Sequence, residues 1–366
     1  MNLMNESELA RAWPERLRQA LHGVPIVQGL AVQVEPPPHA GTRPDGLADC
    51  LIAGEPHRLV IECQLAAQPR QVRGAVAQLA REVERSPVPC QGLLVAPFVS
   101  PASRAILAEA GMGWLDLAGN ARINFPRLHV EINKTERDPW ATKRVQRSLF
   151  YPKSARLLKL LLAHPGRSWR VAELAEAAGV SVGQVSNVRQ ALTEREWAVA
   201  DAAEGLRLVQ AGALLDAWRD AGEKPPTVQL PGYTLLTGAA LQSALLAAFA
   251  DAEKSGARLL LASHSVARRV APFLRVAGEF FYADAAGLAI LQNHLQPQRA
   301  PTGANVTVYA AADDGLWQER TPLGTEGLVG TGPVQTYLDL FAGGERSREA
   351  AEHWRAETIH KLWETA

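Results

Sequence analysis

Alternating and continuous hydrophobic runs predict an α/β unit in residues 1–133. The Pro- and Gly-rich segment 34–46 is typical of a loop, and it separates a helical beginning from strand-like runs. The pattern then predicts strands at 48–54 and 57–66, a helix from about Pro69 to Glu84, a strand at 92–98, a helix from Pro101 to Ala110, a strand at 113–119, and a hairpin of 121–125 with 128–133. This order predicts one mixed sheet with helices packed on it.

Three helical patterns follow at 154–164, 169–181 and 181–197, with the short turn AGVS between the second and the third. In the third pattern, Val185, Val188 and Leu192 recur at spacings of three and four, which places them on one inward stripe. Ser181 has the residue type and the position of an N-cap. Residues 198–210 predict a β-hairpin with its tip at Glu204-Gly205. Segment 154–221 is therefore predicted to be a winged helix-turn-helix.

A second break at 222–232 precedes a third predicted domain, residues 231–366. Helical runs at 241–253 and 265–278 alternate there with strand runs at 258–263, 279–284 and 305–312. The last segment, 343–364, predicts an amphipathic helix that presents Trp354, Ile359 and Trp363 on one face. The predicted fold class is multidomain α/β and α+β: a nuclease-like mixed sheet, a central winged helix-turn-helix and a C-terminal α/β domain.

Composition narrows the class of protein. Hydrophobic residues make up 47% of the 366 residues and charged residues 21%, the balance of a globular chain rather than a disordered one. No apolar run has the length of a membrane span, and the polar, acidic start lacks the features of a secretory signal, so we expect a cytoplasmic protein. The three cysteines are not clustered with one another or with histidines, which argues against a zinc site and a disulfide framework.

Charge is distributed unevenly along the chain. The formal net charge is zero, but segment 134–170 holds ten Lys and Arg against two acids, a net +8. Residues 134–153 resemble a basic linker that can follow a phosphate backbone, and they adjoin the predicted winged helix-turn-helix. This favours double-stranded DNA as the partner; contact with protein alone, and a merely solvated basic run, remain the alternatives.

The predicted third helix turns small and amide side chains away from its inward stripe. We expect Ser186, Asn187 and Gln190 to read base edges, and Arg189, Arg207 and the linker to bind phosphate. The predicted DNA-binding residues are Ser181, Gln184, Ser186, Asn187, Arg189, Gln190, Arg207, Lys143, Arg144 and Arg147. The first hypothesis is a sequence-specific DNA-binding regulator of transcription, and a homodimer would suit a palindromic operator.

Polar residues of the predicted N-terminal strands suggest a second chemistry. Asp49 precedes Glu62 by thirteen residues, and the alternation of a strand places Glu62 and Gln64 on one side, with Cys63 on the other. Together with Pro44-Asp45, this arrangement resembles the PD-(D/E)xK nuclease fold. The resemblance implies that Asp49 and Glu62 bind Mg²⁺, that Gln64 takes part in catalysis, and that Arg73 and Gln78 border the site.

Gln64 stands where that family usually has lysine. An amide can orient a water molecule but carries no positive charge to stabilise the transition state. A Mg²⁺-dependent DNA endonuclease is therefore the second hypothesis, beside a decayed site or ordinary acids in a docking domain. No cofactor is expected except Mg²⁺ under this alternative.

Segments 113–125, 233–249 and 332–357 resemble bacterial AbiEi-like type IV antitoxins and related transcriptional regulators. The resemblance implies DNA binding at an operator that usually includes the gene's own promoter, and a toxin partner that acts without direct contact. In better-studied members the winged helix is N-terminal, whereas here it is central. Asp116, Gly119 and Asn120 are expected to be structural, with Gly and Asn suiting a tight turn. A third hypothesis is an adaptor whose rear domain binds another protein.

Overall fold

The computed structural model describes residues 5–37, 44–136, 138–140, 149–201, 205–222, 228–310, 313–324 and 327–365. Contacts between residues divide the chain into two compact units. The first comprises Met1–Thr142 with Glu194–Glu196, and the second comprises Lys143–Thr193 with Trp197–Ala366. Both contain helices and sheets, which confirms the predicted mixed α/β, multidomain class.

The first unit is built on a seven-stranded sheet whose strands lie side by side in sequence order. The strands are β1 (Val27–Val34), β2 (Gly46–Ile52), β3 (Glu55–Cys63), β4 (Cys90–Ala96), β5 (Gly113–Asp116), β6 (Ala121–Phe125) and β7 (Leu128–Ile132). Strand β4 is parallel to both β3 and β5, and the other neighbours are antiparallel. The sheet is therefore mixed, as predicted.

Helices cover both faces of this sheet. They are α1 (Glu6–Leu21), α2 (Pro69–Glu84) and α3 (Pro101–Glu109). Helix α1 buries Leu9, Trp13 and Leu17 in one core, and α2 and α3 contribute to a second core with residues such as Val72 and Leu107. The apolar middle of β3 follows from this, because Leu59 and Ile61 pack in the first core and Val60 packs in the second.

Strand β1 was not predicted. Its side chains alternate only between half-buried and exposed, because β1 is an edge strand that pairs with β2 alone. A strand that buries little surface has a weak hydrophobic pattern, so the sequence indicated only a helical beginning before the loop. The predicted strands and helices that follow are confirmed.

The second unit begins with three helices and a two-stranded hairpin. They are α4 (Pro152–Ala163), α5 (Val171–Ala178), α6 (Val182–Glu194), β8 (Ala198–Asp201) and β9 (Gly205–Leu208). Trp169, which precedes α5, exchanges both backbone hydrogen bonds with Leu206 at 2.8 Å and so joins the hairpin as a short third strand. The predicted order of helices and hairpin is confirmed, and the predicted hairpin residue Glu204 lies outside the described residues.

A second seven-stranded sheet has the order β13-β10-β14-β12-β11-β16-β15. Its strands are β10 (Val228–Tyr233), β11 (Leu259–Leu261), β12 (Glu279–Ala283), β13 (Gln298–Arg299), β14 (Val306–Ala310), β15 (Arg320–Pro322) and β16 (Val329–Thr331). The helices of this part are α7 (Ala211–Ala221), α8 (Gly238–Ser255), α9 (His264–Val270), α10 (Ala285–Leu295), α11 (Pro333–Phe341), α12 (Glu345–Trp354) and α13 (Lys361–Thr365), with a π-helical stretch at Arg355–His360.

The segments 154–221 and 231–366, predicted as separate domains, lie in one compact unit and contribute to one hydrophobic core. The C-terminal helical segment accounts for this. Trp363 Nε1 donates to the backbone oxygen of Leu162 in α4 at 2.8 Å, and Arg355 pairs with Asp216 in α7 at 2.6 Å. The face of Trp354, Ile359 and Trp363 that the sequence predicted is therefore the one that packs inward.

The predicted helix 265–278 is shorter than expected. It ends at Val270, two residues before Pro272, because proline lacks the amide hydrogen and disfavours helical backbone in the preceding residue. Within the described ranges, no helix is long and apolar enough to cross a membrane.

Candidate functional site

Helix α6 turns its apolar stripe inward, as predicted. Val185, Val188 and Leu192 are buried, and Ser186, Asn187 and Gln190 are exposed on the other side. Ser181 begins the helix as expected, since its Oγ accepts a hydrogen bond from the backbone amide of Gln184 at 3.2 Å. The exposed face is therefore composed of short, uncharged polar side chains that can hydrogen-bond an outside partner.

Gln184 differs from the residues predicted to contact DNA. It is half-buried, and its Nε2 donates to the Oγ of the buried Ser154 in α4 at 2.8 Å. Its amide thus holds α6 against α4 rather than facing solvent, so we correct its predicted role to positioning. Ser186 is exposed, and its hydroxyl donates to the backbone oxygen of Val182 at 3.1 Å.

A cleft of about 860 Å³ opens between the first turn of α4 and the exposed side of α6. Its lining residues are Leu149, Tyr151, Pro152, Lys153, Ser154, Gln184, Asn187, Val188, Ala191 and Asp313. Lys153 brings a positive charge to it, Asn187 an exposed amide and Tyr151 an exposed ring. Sequence reasoning named Asn187 and missed the cleft, because its walls come from segments far apart in the chain.

The predicted basic run is partly neutralised inside its own unit. Arg156 forms a bidentate pair with Asp313 at 3.1 and 2.7 Å, Arg167 pairs with Glu173, and the Lys159 ammonium is buried near Glu319. The net +8 of segment 134–170 is therefore not all available to phosphate, which corrects the prediction from local charge. Lys143, Arg144 and Arg147 lie outside the described residues.

Arg189 and Arg207 are half-buried, on α6 and on β9 respectively. Arg207 stands opposite Val199 in the hairpin, whose strands pair from Ala198–Leu208 to Asp201–Gly205. Gly205 adopts a left-handed backbone with φ of 99°, and a side chain there would collide with the backbone of Trp169. Glycine at this position is thus required for the hairpin to pack against the segment before α5.

In the first unit, two carboxylates meet where β2 begins and β3 ends. The Asp45 Oδ2 accepts from the backbone amide of Cys63 at 2.7 Å, and the adjacent Glu62 is only 8% exposed. Glu62 Oε2 accepts from Gln78 Nε2 in α2 at 2.7 Å, and its Oε1 accepts from Gln64 Nε2 at 3.3 Å. The structure therefore brings Glu62, Gln64 and Gln78 together, as the sequence suggested.

Burial first, and then the neighbouring charge of Asp45, raise the pKa of Glu62 to about 7 against the opposing effect of the hydrogen bond from Gln64. A carboxyl group that titrates near neutral pH beside a second carboxylate is typical of sites that bind metal or move protons, although structural clusters show the same feature.

Asp49 is not the acid that accompanies Glu62. In the β2–β3 register Asp49 lies opposite Arg58, with which it forms a bidentate pair at 2.6 and 2.9 Å. Arg58 is four residues from Glu62, or about 13 Å along an extended strand, too far for one metal ion to bridge. The predicted pairing of Asp49 with Glu62 is therefore corrected, since the carboxylate beside Glu62 is that of Asp45. The sequence alone could not identify Asp45 as the neighbour of Glu62, because that depends on the register of β2 on β3.

The two carboxylates of this site suit a divalent cation, but the amide side chains around them do not. Asp45 and Glu62 would hold the ion, and Gln64 and Gln78 could offer their amide oxygens only after turning, since both now direct amide hydrogens at Glu62. Among the described residues no cluster of three or more His, Cys, Asp or Glu side chains could hold a metal. The hydrogen-bond donors to Glu62 are neutral amides, so the charge that lysine supplies in the resembling nucleases has no counterpart among them.

Asp116, Gly119 and Asn120 are structural, as expected. Both Asp116 carboxylate oxygens accept from Asn120, at 2.8 Å each, and Asp116 and Asn120 are fully buried. Gly119 has a φ of 110° in the turn between β5 and β6. These residues form the turn itself and leave no group for a ligand.

No protein-family model and no curated protein matches the sequence. Among solved structures, the chain is similar to a crystal structure of a repair endonuclease from Pyrococcus abyssi, with 19% identity and a TM-score of 0.25. The match covers 32% of this chain and 48% of the endonuclease chain, about half of its length.

Proposed function

We propose that this protein binds double-stranded DNA in a sequence-specific manner and regulates transcription. The observation that carries the proposal is the exposed face of α6, where Ser186, Asn187 and Gln190 lie on the side opposite Val185, Val188 and Leu192. A helix of this kind, with a preceding helix and short turn, suits insertion into a major groove, where amide side chains pair with adenine.

The surroundings of α6 support the same proposal. The order α4, α5, α6 and the β8–β9 hairpin, with Trp169 paired to Leu206, supports the proposal because a winged helix-turn-helix would have the same order. Under this proposal Asn187 and Gln190 contact bases, while Lys153, Arg189 and Arg207 contact phosphates beside the helix. The predicted resemblance to AbiEi-like regulators belongs to this proposal, with an operator near the gene's own promoter.

Binding-site selection tests the proposal. The full chain is incubated with random duplex DNA at moderate salt, and bound molecules are amplified and sequenced over several rounds. We expect wild type to enrich one short sequence. We expect Asn187→Ala to enrich a different sequence or none. If wild type retains duplexes without enrichment, the claim of sequence specificity is wrong; if it retains none, DNA binding itself is wrong.

We propose a second candidate function, Mg²⁺-dependent cleavage of DNA, on the specific observation that Asp45 and Glu62 adjoin and Glu62 titrates near pH 7. Metal held by this pair would activate water for attack on a phosphodiester. The test is nicking of plasmid DNA with Mg²⁺ or Mn²⁺. Wild type would nick, Glu62→Ala and Asp45→Asn would not, and Asp49→Asn is the matched control that should retain activity. No nicking by wild type would remove this candidate.

A further inference from the structure

Residues 313–319, here called the strap, lie across the three-helix part of the second unit. Asp313 holds Arg156 of α4 in the bidentate pair described above, and Gln318 Nε2 donates to the backbone oxygen of Ala178 at the end of α5, at 3.2 Å. The strap thus contacts both helices that precede α6. Asp313 also lines the cleft beside Asn187.

At the far end of the strap, the half-buried Glu319 lies beside a lysine. Lys159 lies one turn after Arg156 on α4 and is 9% exposed. The Glu319 carboxyl group packs against Gly332, the residue that precedes α11, and a methyl group built on Gly332 would overlap it. Glu319 Oε2 is buried and meets no hydrogen-bond donor in the described part of the chain.

The charges around Lys159 do not balance if Glu319 is ionised. The group contains two cations from α4, one of which is Lys159 itself, and three carboxylates from the strap and α11. The hydroxyls of two tyrosines on the sheet lie beside them. These groups are Arg156, Lys159, Asp313, Glu319, Asp339, Tyr282 and Tyr309. Asp313 is paired with Arg156, and Asp339 accepts hydrogen bonds from Tyr282 at 2.9 Å and from Gln335 at 2.8 Å, whereas in the described part of the chain Glu319 has the nearby charge of Lys159 alone to stabilise its ionised form.

A buried carboxylate keeps its proton more tightly than an exposed one. Burial raises the pKa of Glu319 to about 7, and the charge of Lys159 only partly opposes this. Burial also raises the pKa values of Tyr282 and Tyr309, the latter to about 12, and lowers the pKa of Lys159. Glu319 is therefore a member of this group whose charge depends on pH near neutrality.

We propose that the strap is a proton-dependent inhibitory latch on the DNA-binding cleft: it is closed while Glu319 is protonated, with Asp313 occupying Arg156 in place of a DNA phosphate, and it opens when Glu319 ionises. The expected effect on DNA affinity rests on the proposed DNA binding, whereas the opening and closing of the strap does not. Because the raised pKa belongs to the closed state and the usual value of 4.5 to the open one, closure is strongest below about pH 4.5 and is lost as the pH rises from there to about 7.

Opening has two electrostatic effects on the cleft. It withdraws the negative charge of Asp313 from the wall that Lys153 and Asn187 share, and it frees Arg156 to bind phosphate. Each additional phosphate contact steepens the plot of log affinity against log salt by about 0.9. The open protein should therefore bind DNA more tightly and with greater salt dependence.

Hydrogen exchange of the free full-length protein tests the latch without DNA. Exchange of residues 313–319 is measured between pH 4.5 and 7.5, corrected for the intrinsic pH dependence, with helix α8 as the internal reference. In wild type we expect protection to fall as the pH rises across this range. In Glu319→Gln, which mimics the protonated acid, protection should remain high, and in Asp313→Asn it should be low at every pH. The same profile in wild type and Glu319→Gln would overturn the latch.

DNA affinity at constant ionic strength tests the consequence. We expect wild type to bind a selected duplex several-fold more tightly at pH 8.5 than at pH 6.0, and Glu319→Gln to keep the weaker affinity throughout. Asp313→Asn should bind tightly at both pH values, with the steeper salt dependence. If exchange follows the expected pattern but no variant binds DNA, the latch stands and the proposed function fails. If affinity is equal for all three proteins, the inhibitory role is wrong.

Discussion

The side chain of Gln184 donates a 2.8 Å hydrogen bond to the hydroxyl of Ser154, which is 1% exposed. This bond fixes α6 against α4. Asn187, one turn later on α6, remains exposed in the adjoining cleft. Two amide-bearing residues at neighbouring positions thus have separate tasks, since one positions the helix and the other is available to a partner.

Replacing each of these residues by alanine should separate stability from binding. Gln184→Ala removes a part-buried hydrogen bond and should lower the free energy of unfolding by about 1 kcal/mol. Asn187→Ala alters an exposed side chain and should change it by less than about 0.5 kcal/mol. Urea denaturation followed by circular dichroism measures both. A larger loss for Asn187→Ala than for Gln184→Ala would contradict the assigned roles.

Glu62 should make the stability of the first unit depend on pH. Its folded pKa of about 7 exceeds the usual value of 4.5, so the folded state holds the proton more tightly and loses stability as the pH rises from about 4.5 to 7. Glu62→Gln removes this loss. We expect the variant to be more stable than wild type by up to about 3 kcal/mol at pH 8, and the difference to vanish below pH 4.5.

The matched control is Asp49→Asn, which neutralises an acid about 13 Å away on the same face of the sheet. Asp49 is paired with Arg58, so its loss should not remove the pH dependence assigned to Glu62. Thermal unfolding of the three proteins between pH 4 and 8 provides the comparison. If Glu62→Gln keeps the wild-type pH profile, the raised pKa is wrongly assigned.

Sequence patterns predicted the elements whose signals are local. The stripe of Val185, Val188 and Leu192 identified the inward side of α6 because a helix repeats every 3.6 residues. Likewise, continuous burial made β4 evident from its run of apolar residues. Strand β1 was missed because its pairing on one side only leaves its side chains half-exposed.

The site depended on relationships that no local pattern contains. Whether Asp45 or Asp49 adjoins Glu62 is decided by the register of β2 on β3, since four residues along a strand move a side chain by about 13 Å. The availability of Arg156 was overestimated for a similar reason. Its partner, Asp313, is 157 positions away in the sequence and comes near only in the folded unit.

A glycine substitution tests the packing beneath the strap. Gly332 and Gly344 both precede a helix in extended backbone, but a methyl group on Gly332 would overlap the Glu319 carboxyl group, whereas nothing lies within 4 Å of one on Gly344. Gly332→Ala should lower the free energy of unfolding by about 1–3 kcal/mol more than Gly344→Ala. Urea denaturation measures the difference, and equal effects would show that the Glu319 side chain moves aside freely.

Binding of a selected duplex across a range of salt concentrations tests the central claim, that the exposed face of α6 reads DNA. Fluorescence anisotropy is recorded for wild type and for the Asn187→Ala, Gln190→Ala double variant. We predict that wild-type affinity falls steeply and linearly in log–log coordinates, and that the double variant loses at least about tenfold in affinity while keeping the same slope, because bases rather than phosphates are affected. Binding that is indifferent to salt, or unchanged in the double variant, would contradict the claim.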